Sequence, residues 1–165
     1  MRQHRRMKMK RIVALFTVLI ALFTLVSCGF GSDMPYNGDI IFNGITVSIP
    51  QNFIRDSTQS TNDLWVFEKG FHKQLIILSR NDLSGEIAEV LDGYVDYMKS
   101  MECDSKHTTF AGCEAVHTTY TKDGQYCQEV LFVYNSSTYA IALRGGTEEE
   151  FKSLLDSVKL NALAE

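Results

Sequence analysis

The chain is marked first by what it lacks. Its apolar run near the start, Ile12 to Val26, holds fifteen residues and is interrupted only by Thr17 and Thr24. As a helix that is about 22 Å, whereas a bilayer core is about 30 Å thick and takes about 20 residues. Basic residues are scarce beyond the front end. Six of the 16 Lys and Arg are Arg2, Arg5, Arg6, Lys8, Lys10 and Arg11, and all 20 Asp and Glu come later, so residues 28–165 carry 10 basic against 20 acidic side chains, a net of −10. That balance excludes a nucleic-acid binder, which needs clustered Lys and Arg, and a surface that docks onto anionic lipid. Active-site motifs are missing too. There is no G-x-S-x-G, and Gly145-Gly146 lacks the Lys-Ser/Thr of a phosphate-cradling loop.

What is present at the front is a basic segment, a short apolar run and then Leu25-Val-Ser-Cys28. Basic n-region and apolar h-region are the parts of a signal peptide. Leu25 to Cys28 resembles the lipobox of bacterial lipoproteins, in which small residues precede an obligatory cysteine. The resemblance implies that Cys28 is alkylated by diacylglycerol and becomes the first residue after cleavage. Two or more acyl chains hold stably, at roughly 0.8 kcal/mol per buried CH₂. The expected organisation is a signal peptide over 1–27, a lipidated tether over 28–38 and a single domain over 39–165. The expected location is the extracytoplasmic face of the cell membrane, anchored by lipid. Gly29 to Asn37, with its glycines and Pro35, reads as the tether.

The remaining 138 residues suffice for one domain with a full core. Ile40–Phe42, Asn43-Gly44 and Ile45–Ile49 predict a hairpin with a type I′ turn. Pro50 is expected to end that strand, and 51–62 to form a loop. Leu64–Phe67 and Gln74–Leu78 predict two more strands, the second apolar enough to be covered on both faces. Trp65 reads as core packing. A helix is expected from Ser84, as N-cap, to Met101, burying Ile87, Val90, Leu91, Tyr94, Met98 and Met101. Strands follow at His107–Phe110, Cys113–Tyr120, Tyr126–Tyr134 and Thr138–Arg144. Ala111-Gly112, Asp123-Gly124 and Asn135-Ser-Ser137 turn the chain between them; the last also fits a glycosylation sequon but reads as a plain turn. Thr147-Glu-Glu-Glu150 is a capping box opening a last helix with Phe151, Leu154, Leu155 and Val158 on its buried stripe. Short turns between neighbouring strands make the fold α+β, with a mostly antiparallel sheet covered by helices.

Phe42-Asn-Gly-Ile-Thr-Val-Ser-Ile-Pro50 with Phe53, the central helix, the meander ending in Tyr139-Ala-Ile-Ala-Leu143 and the closing helix resemble PsbP-like domains over residues 40–160. That group includes bacterial DcrB-like lipoproteins. The resemblance implies an α/β/α sandwich and a non-enzymatic accessory role. It supplies no catalytic residues and no cofactor. A cystatin- or NTF2-like domain is the rival fold.

One pattern points elsewhere. Cys103-x-x-x-His107-Thr-Thr-Phe110 is echoed by Cys113-x-x-x-His117-Thr-Thr-Tyr120. Two Cys and two His suggest zinc, and a metal-binding protein or small enzyme using segment 103–127 is the alternative function. Residues four apart on a strand are about 13 Å apart, however, so Cys113 and His117 cannot share an ion unaided. Beyond Cys28 three cysteines remain, Cys103, Cys113 and Cys127, an odd number that forbids complete pairing. With a turn at Asp123-Gly124, Cys127 faces Tyr120 and lies far from Cys113; a Cys103–Cys113 bridge stays open. Glu89, Asp92 and Asp96 read as a solvated acidic stripe. The expected partners are therefore the membrane, through the lipid, and an envelope protein, with no nucleic acid, no metal and no cofactor.

Overall fold

A computed structural model describes residues 35–70 and 73–161. The leader, Cys28 and nearly all of the tether lie outside the described residues. Within them the chain forms one nine-stranded sheet and two helices. The elements are β1 (Pro35–Phe42), β2 (Ile45–Arg55), β3 (Leu64–Lys69), β4 (Gln74–Asp82), α1 (Ile87–Ser100), β5 (Asp104–Phe110), β6 (Cys113–Lys122), β7 (Gln125–Tyr134), β8 (Ser137–Arg144), α2 (Glu148–Asp156) and β9 (Lys159–Leu160). The strand order is β1-β2-β3-β4-β8-β7-β6-β5, with β9 on β2, and every pair is antiparallel.

The hairpin turns follow from their residues. Asn43-Gly44, Ala111-Gly112, Asp123-Gly124 and Asn135-Ser136 all have positive φ at both central positions, which matches the twist of the flanking strands. Pro50 does not end β2. The strand continues to Arg55, because pairing with β1 is interrupted only at the residues around proline, which has no N–H to give, and then resumes at Phe53 and Ile54. Ile49 pairs Gly38 and Phe53 pairs Tyr36, so Pro50, Gln51 and Asn52 bulge against one residue of β1. Asn52 absorbs the bend with φ of 71°. β1 itself begins at Pro35, inside the segment read as tether.

The first helix also starts later than expected. Gly85 takes φ of 127°, outside helical space, so Ser84 cannot be the cap. Glu86 stands at the N-cap without a side-chain cap bond. Ile87 and Met101, expected on the buried stripe, are exposed at the two ends, while Val95 joins Val90, Leu91, Tyr94 and Met98 in the interior. The capping box of α2 is formed in both directions: the Thr147 Oγ1 accepts from the Glu150 N–H at 3.1 Å, and the Glu150 carboxylate accepts from the Thr147 N–H at 2.8 Å.

Alternation along the central strands sorts the core onto two faces. Val116, Leu131, Val133 and Ala140 pack under α1. On the other side Val130, Phe132, Tyr139, Ile141 and Leu143 pack with Phe151 and Leu154 of α2 and with Phe42, Ile45, Val47 and Ile49 of the first hairpin. The sheet curls so that this hairpin returns over its own face: the Tyr139 hydroxyl donates to the Asn43 carbonyl at 2.6 Å. The cover on that side is therefore a hairpin plus one nine-residue helix, not a helical layer. Trp65 is a packing residue, edge-on to Phe42 at 5.3 Å with the Arg55 guanidinium 4.0 Å from its ring.

Candidate functional site

Because α2 is short and the first hairpin lies toward the β3–β4 side, no element among the described residues covers the second face of the sheet over β5 and β6. A groove of about 650 Å³ lies there, within the range of ligand sites. Its floor is built from same-face residues of three strands: Lys106, Thr108 and Phe110 of β5, His117 and Thr119 of β6, and Tyr126, Gln128 and Val130 of β7. Its wall is one flank of α2, with Glu148, Glu149, Phe151, Lys152 and Leu155. Asp104 closes one end. A smaller apolar cavity of about 160 Å³ lies on the other flank of α2, among Phe53, Ile76, Leu143 and Leu154.

Aromatic contacts make the groove firm. The His117 ring stacks on Phe151 with centroids 5.9 Å apart and planes at 17°. Phe110 packs on the buried Phe132 at 4.9 Å. Buried Gln128 donates to the Thr147 carbonyl at 3.4 Å, tying the floor to the start of α2. The rim is mixed but acidic on balance, since Lys152 is paired with Asp156 one turn on, leaving Lys106 among Asp104, Glu148 and Glu149.

His117 is half-buried, and its pKa lies below the usual 6.5. Burial is the larger cause and the Lys106 ammonium adds to it, with Asp104 and Glu148 pulling the other way. At neutral pH the ring is uncharged, which suits a stacking platform. An NMR titration should place its midpoint below 6.5, and Lys106→Ala should move it upward. The linked stability runs with the same sign: the unfolded chain takes this proton first, so stability falls as pH drops below about 6.5. A wild-type midpoint at or above that value would remove burial as the controlling effect.

The Cys/His segment does not come together. His107 lies on the α1 face, where its Nε2 is 3.1 Å from the Asp92 carboxylate. His117 lies on the groove face. Two ligands on opposite faces of a sheet cannot hold one ion, and among the described residues no group of three or more Cys, His, Asp or Glu is placed to hold one. Cys103 and Cys113 are at opposite ends of the β5–β6 hairpin, because Asp104 pairs Thr119 while Cys113 pairs Phe110. Six residues of strand put them roughly 20 Å apart, far beyond the 7 Å limit for a bridge. Cys103, Cys113 and Cys127 are all free thiols. Cys127 does face Tyr120, as the Asp123-Gly124 turn predicts.

A second polar cluster lies on the other face of the sheet. Glu129 is fully buried beneath α1 and accepts a hydrogen bond from the Tyr94 hydroxyl at 2.7 Å. Across the ladder it faces Thr118 on β6 and Ala142 on β8. Thr118 is bonded to Ser105 at 2.9 Å. Desolvation lifts the Glu129 carboxyl from 4.5 to about 7, against the opposing Tyr94 bond. Arg144, in phase with Glu129 along β8, donates instead to Asp123 in the β6–β7 turn at 2.9 Å. The signal in the sequence was Gln128-Glu129 inside an otherwise apolar strand.

No family model and no curated protein matches the chain. Among solved structures, a crystal structure from Bacteroides thetaiotaomicron matches with a TM-score of 0.55 and 8% identity, over 79% of this chain and 51% of that one. The chain thus spans about half the length of that protein, and the likeness is one of fold. The solution structure of cyanobacterial PsbP (CyanoP) from Synechocystis aligns over 82% of this chain and 98% of that one, with 14% identity and a TM-score of 0.49. LpqN, involved in cell envelope biogenesis of Mycobacterium tuberculosis, aligns over 78% and 80%, with 16% identity and a TM-score of 0.32.

Proposed function

We propose that this chain is a non-enzymatic binding module, held at the outer face of a bacterial cell membrane by acyl chains on Cys28, and that it engages an envelope protein through the groove between α2 and β5–β7. The observation that carries the binding role is the groove itself: a large, open concavity on an aromatic floor, left uncovered by the shortness of α2. Its one histidine serves as a stacked, neutral surface, and its buried amide serves the scaffold. The anchor rests on the short apolar run behind six basic residues and on Leu25 to Cys28. The same proposal takes residues 40–160 as a PsbP-like domain.

The test uses the full chain in the envelope of its own host. A photo-crosslinking amino acid at Thr108, in the groove, should give one discrete protein adduct. The same group at Lys99, on α1, should give none. Adducts from both positions alike, or none from Thr108, would count against the groove. An intact Met1 terminus or an unmodified Cys28 thiol by mass spectrometry would count against the anchor.

A further inference from the structure

We infer that the groove takes its partner as an extended peptide strand, added to the free edge of β5, with an apolar or aromatic side chain in the groove and a basic residue at the acidic rim. This rests on the groove being the binding site. Three features of the molecule carry it.

The first is the edge. Among the described residues β5 ends the sheet order, so every second residue turns its N–H and C=O away from β6. All seven residues of β5 pair with β6 in one unbroken register. Five of the seven are exposed. The opposite edge, β1, is blunted by its bulge between Tyr36 and Gly38. An unbulged edge of this length is a template for another strand.

The second is continuity between edge and groove. From β5 the groove is lined by the alternate residues Asp104, Lys106, Thr108 and Phe110, joined by Thr109 at the hairpin end. A strand added beside β5 continues the same pleat, so its own alternate side chains project on the groove side. Backbone pairing and side-chain capture then act together. A ligand that was not extended would use the groove and waste the edge.

The third is charge. Three carboxylates, Asp104, Glu148 and Glu149, stand against one ammonium, Lys106, at the rim, while Lys152 is already paired to Asp156. The free charge at the rim therefore favours Lys or Arg on the partner and disfavours an acidic segment.

The experiment selects linear nine-residue peptides from a random phage-displayed library against the full chain in lipid nanodiscs. The expected consensus alternates, with an aromatic or large aliphatic residue and a Lys or Arg two positions away. A synthetic consensus peptide should slow hydrogen exchange at alternate amides of β5. N-methylation of its edge-facing amides should weaken binding at least ten-fold, and replacing its basic residues by Glu should do the same. Lys106→Glu, an exposed change that leaves the fold intact, should strengthen binding by adding to the acidic rim. A peptide that binds and shifts the His117 resonance without protecting β5 overturns strand addition while leaving the groove as the site. Failure to enrich any sequence overturns strand addition; the crosslink from Thr108 then decides the groove separately.

Discussion

Replacing Glu129 by glutamine should remove a pH dependence of stability that the wild type shows between pH 5 and pH 8. The carboxyl is fully buried, bonded by the Tyr94 hydroxyl, and lifted from 4.5 to about 7 by desolvation. An acid whose folded pKa lies above its unfolded value keeps a proton that the unfolded chain has already lost. Stability from this group is therefore whole below about pH 4.5, declines up to about pH 7, and stays reduced above it. The interval corresponds to roughly 3 kcal/mol at about 1.4 kcal/mol per pH unit. Glutamine keeps an acceptor for Tyr94 and cannot ionise. Any constant cost of its amide cancels when stability at pH 8 is subtracted from stability at pH 5. His117 contributes in the opposite direction, so the quantity to compare is the wild-type difference minus the variant difference, measured by urea unfolding. Equal differences in the two proteins would mean that Glu129 is not the group responsible.

Gly145→Ala should cost roughly 2–5 kcal/mol, one of the largest single losses available outside the deepest core. Gly145 has φ of 72° and donates its N–H to the Tyr126 carbonyl at 2.8 Å. An L-residue pays about 1–2 kcal/mol for that conformation. A methyl group there would also fall on the carbonyl oxygen of Lys73, a backbone atom rather than the end of a flexible side chain. Overpacking of this kind adds about 1–3 kcal/mol. Gly146→Ala is the control. Its methyl meets the buried Leu143 side chain rather than backbone, and its φ lies outside the left-handed region, so the conformational part of the cost is absent and a smaller loss is expected. Because Gly145 sets the direction in which the chain leaves β8 for α2, Gly145→Ala should also weaken the crosslink from Thr108. A Gly145→Ala protein as stable as wild type in chemical denaturation would show that the junction yields more easily than its geometry requires.

Much of the strand plan was legible because local chemistry decides it. Asn43-Gly44 and Asp123-Gly124 place their hairpins unaided, since few residue pairs accept two positive φ angles. Thr147 with Glu150 announces α2 because the cap is made within four residues. The unbroken apolar run of β4 reads correctly as a strand covered on both faces, with Ile76 and Leu78 in one cluster and Ile77 in another. Where a distant partner decides, local pattern does not reach. Pro50 looks like a strand end until β1 is seen to bulge opposite it. The pairing of Lys159 and Leu160 with β2 joins residues more than a hundred positions apart, and no local pattern encodes that.

The sites divide in the same way. By itself the sequence determined the charge balance, the front-end pattern that singles out Cys28, the antiparallel α+β character and the turn positions, because each depends on residues close together in the chain. Only the tertiary structure decided which face each strand residue takes, and with it the fate of every candidate group. It parts His107 from His117 and Cys103 from Cys113, buries Glu129 under Tyr94, and brings Phe110, His117 and Phe151 into one groove. The reason is the two-residue period of a strand: one step in register exchanges the faces, and register is set by partners elsewhere in the chain.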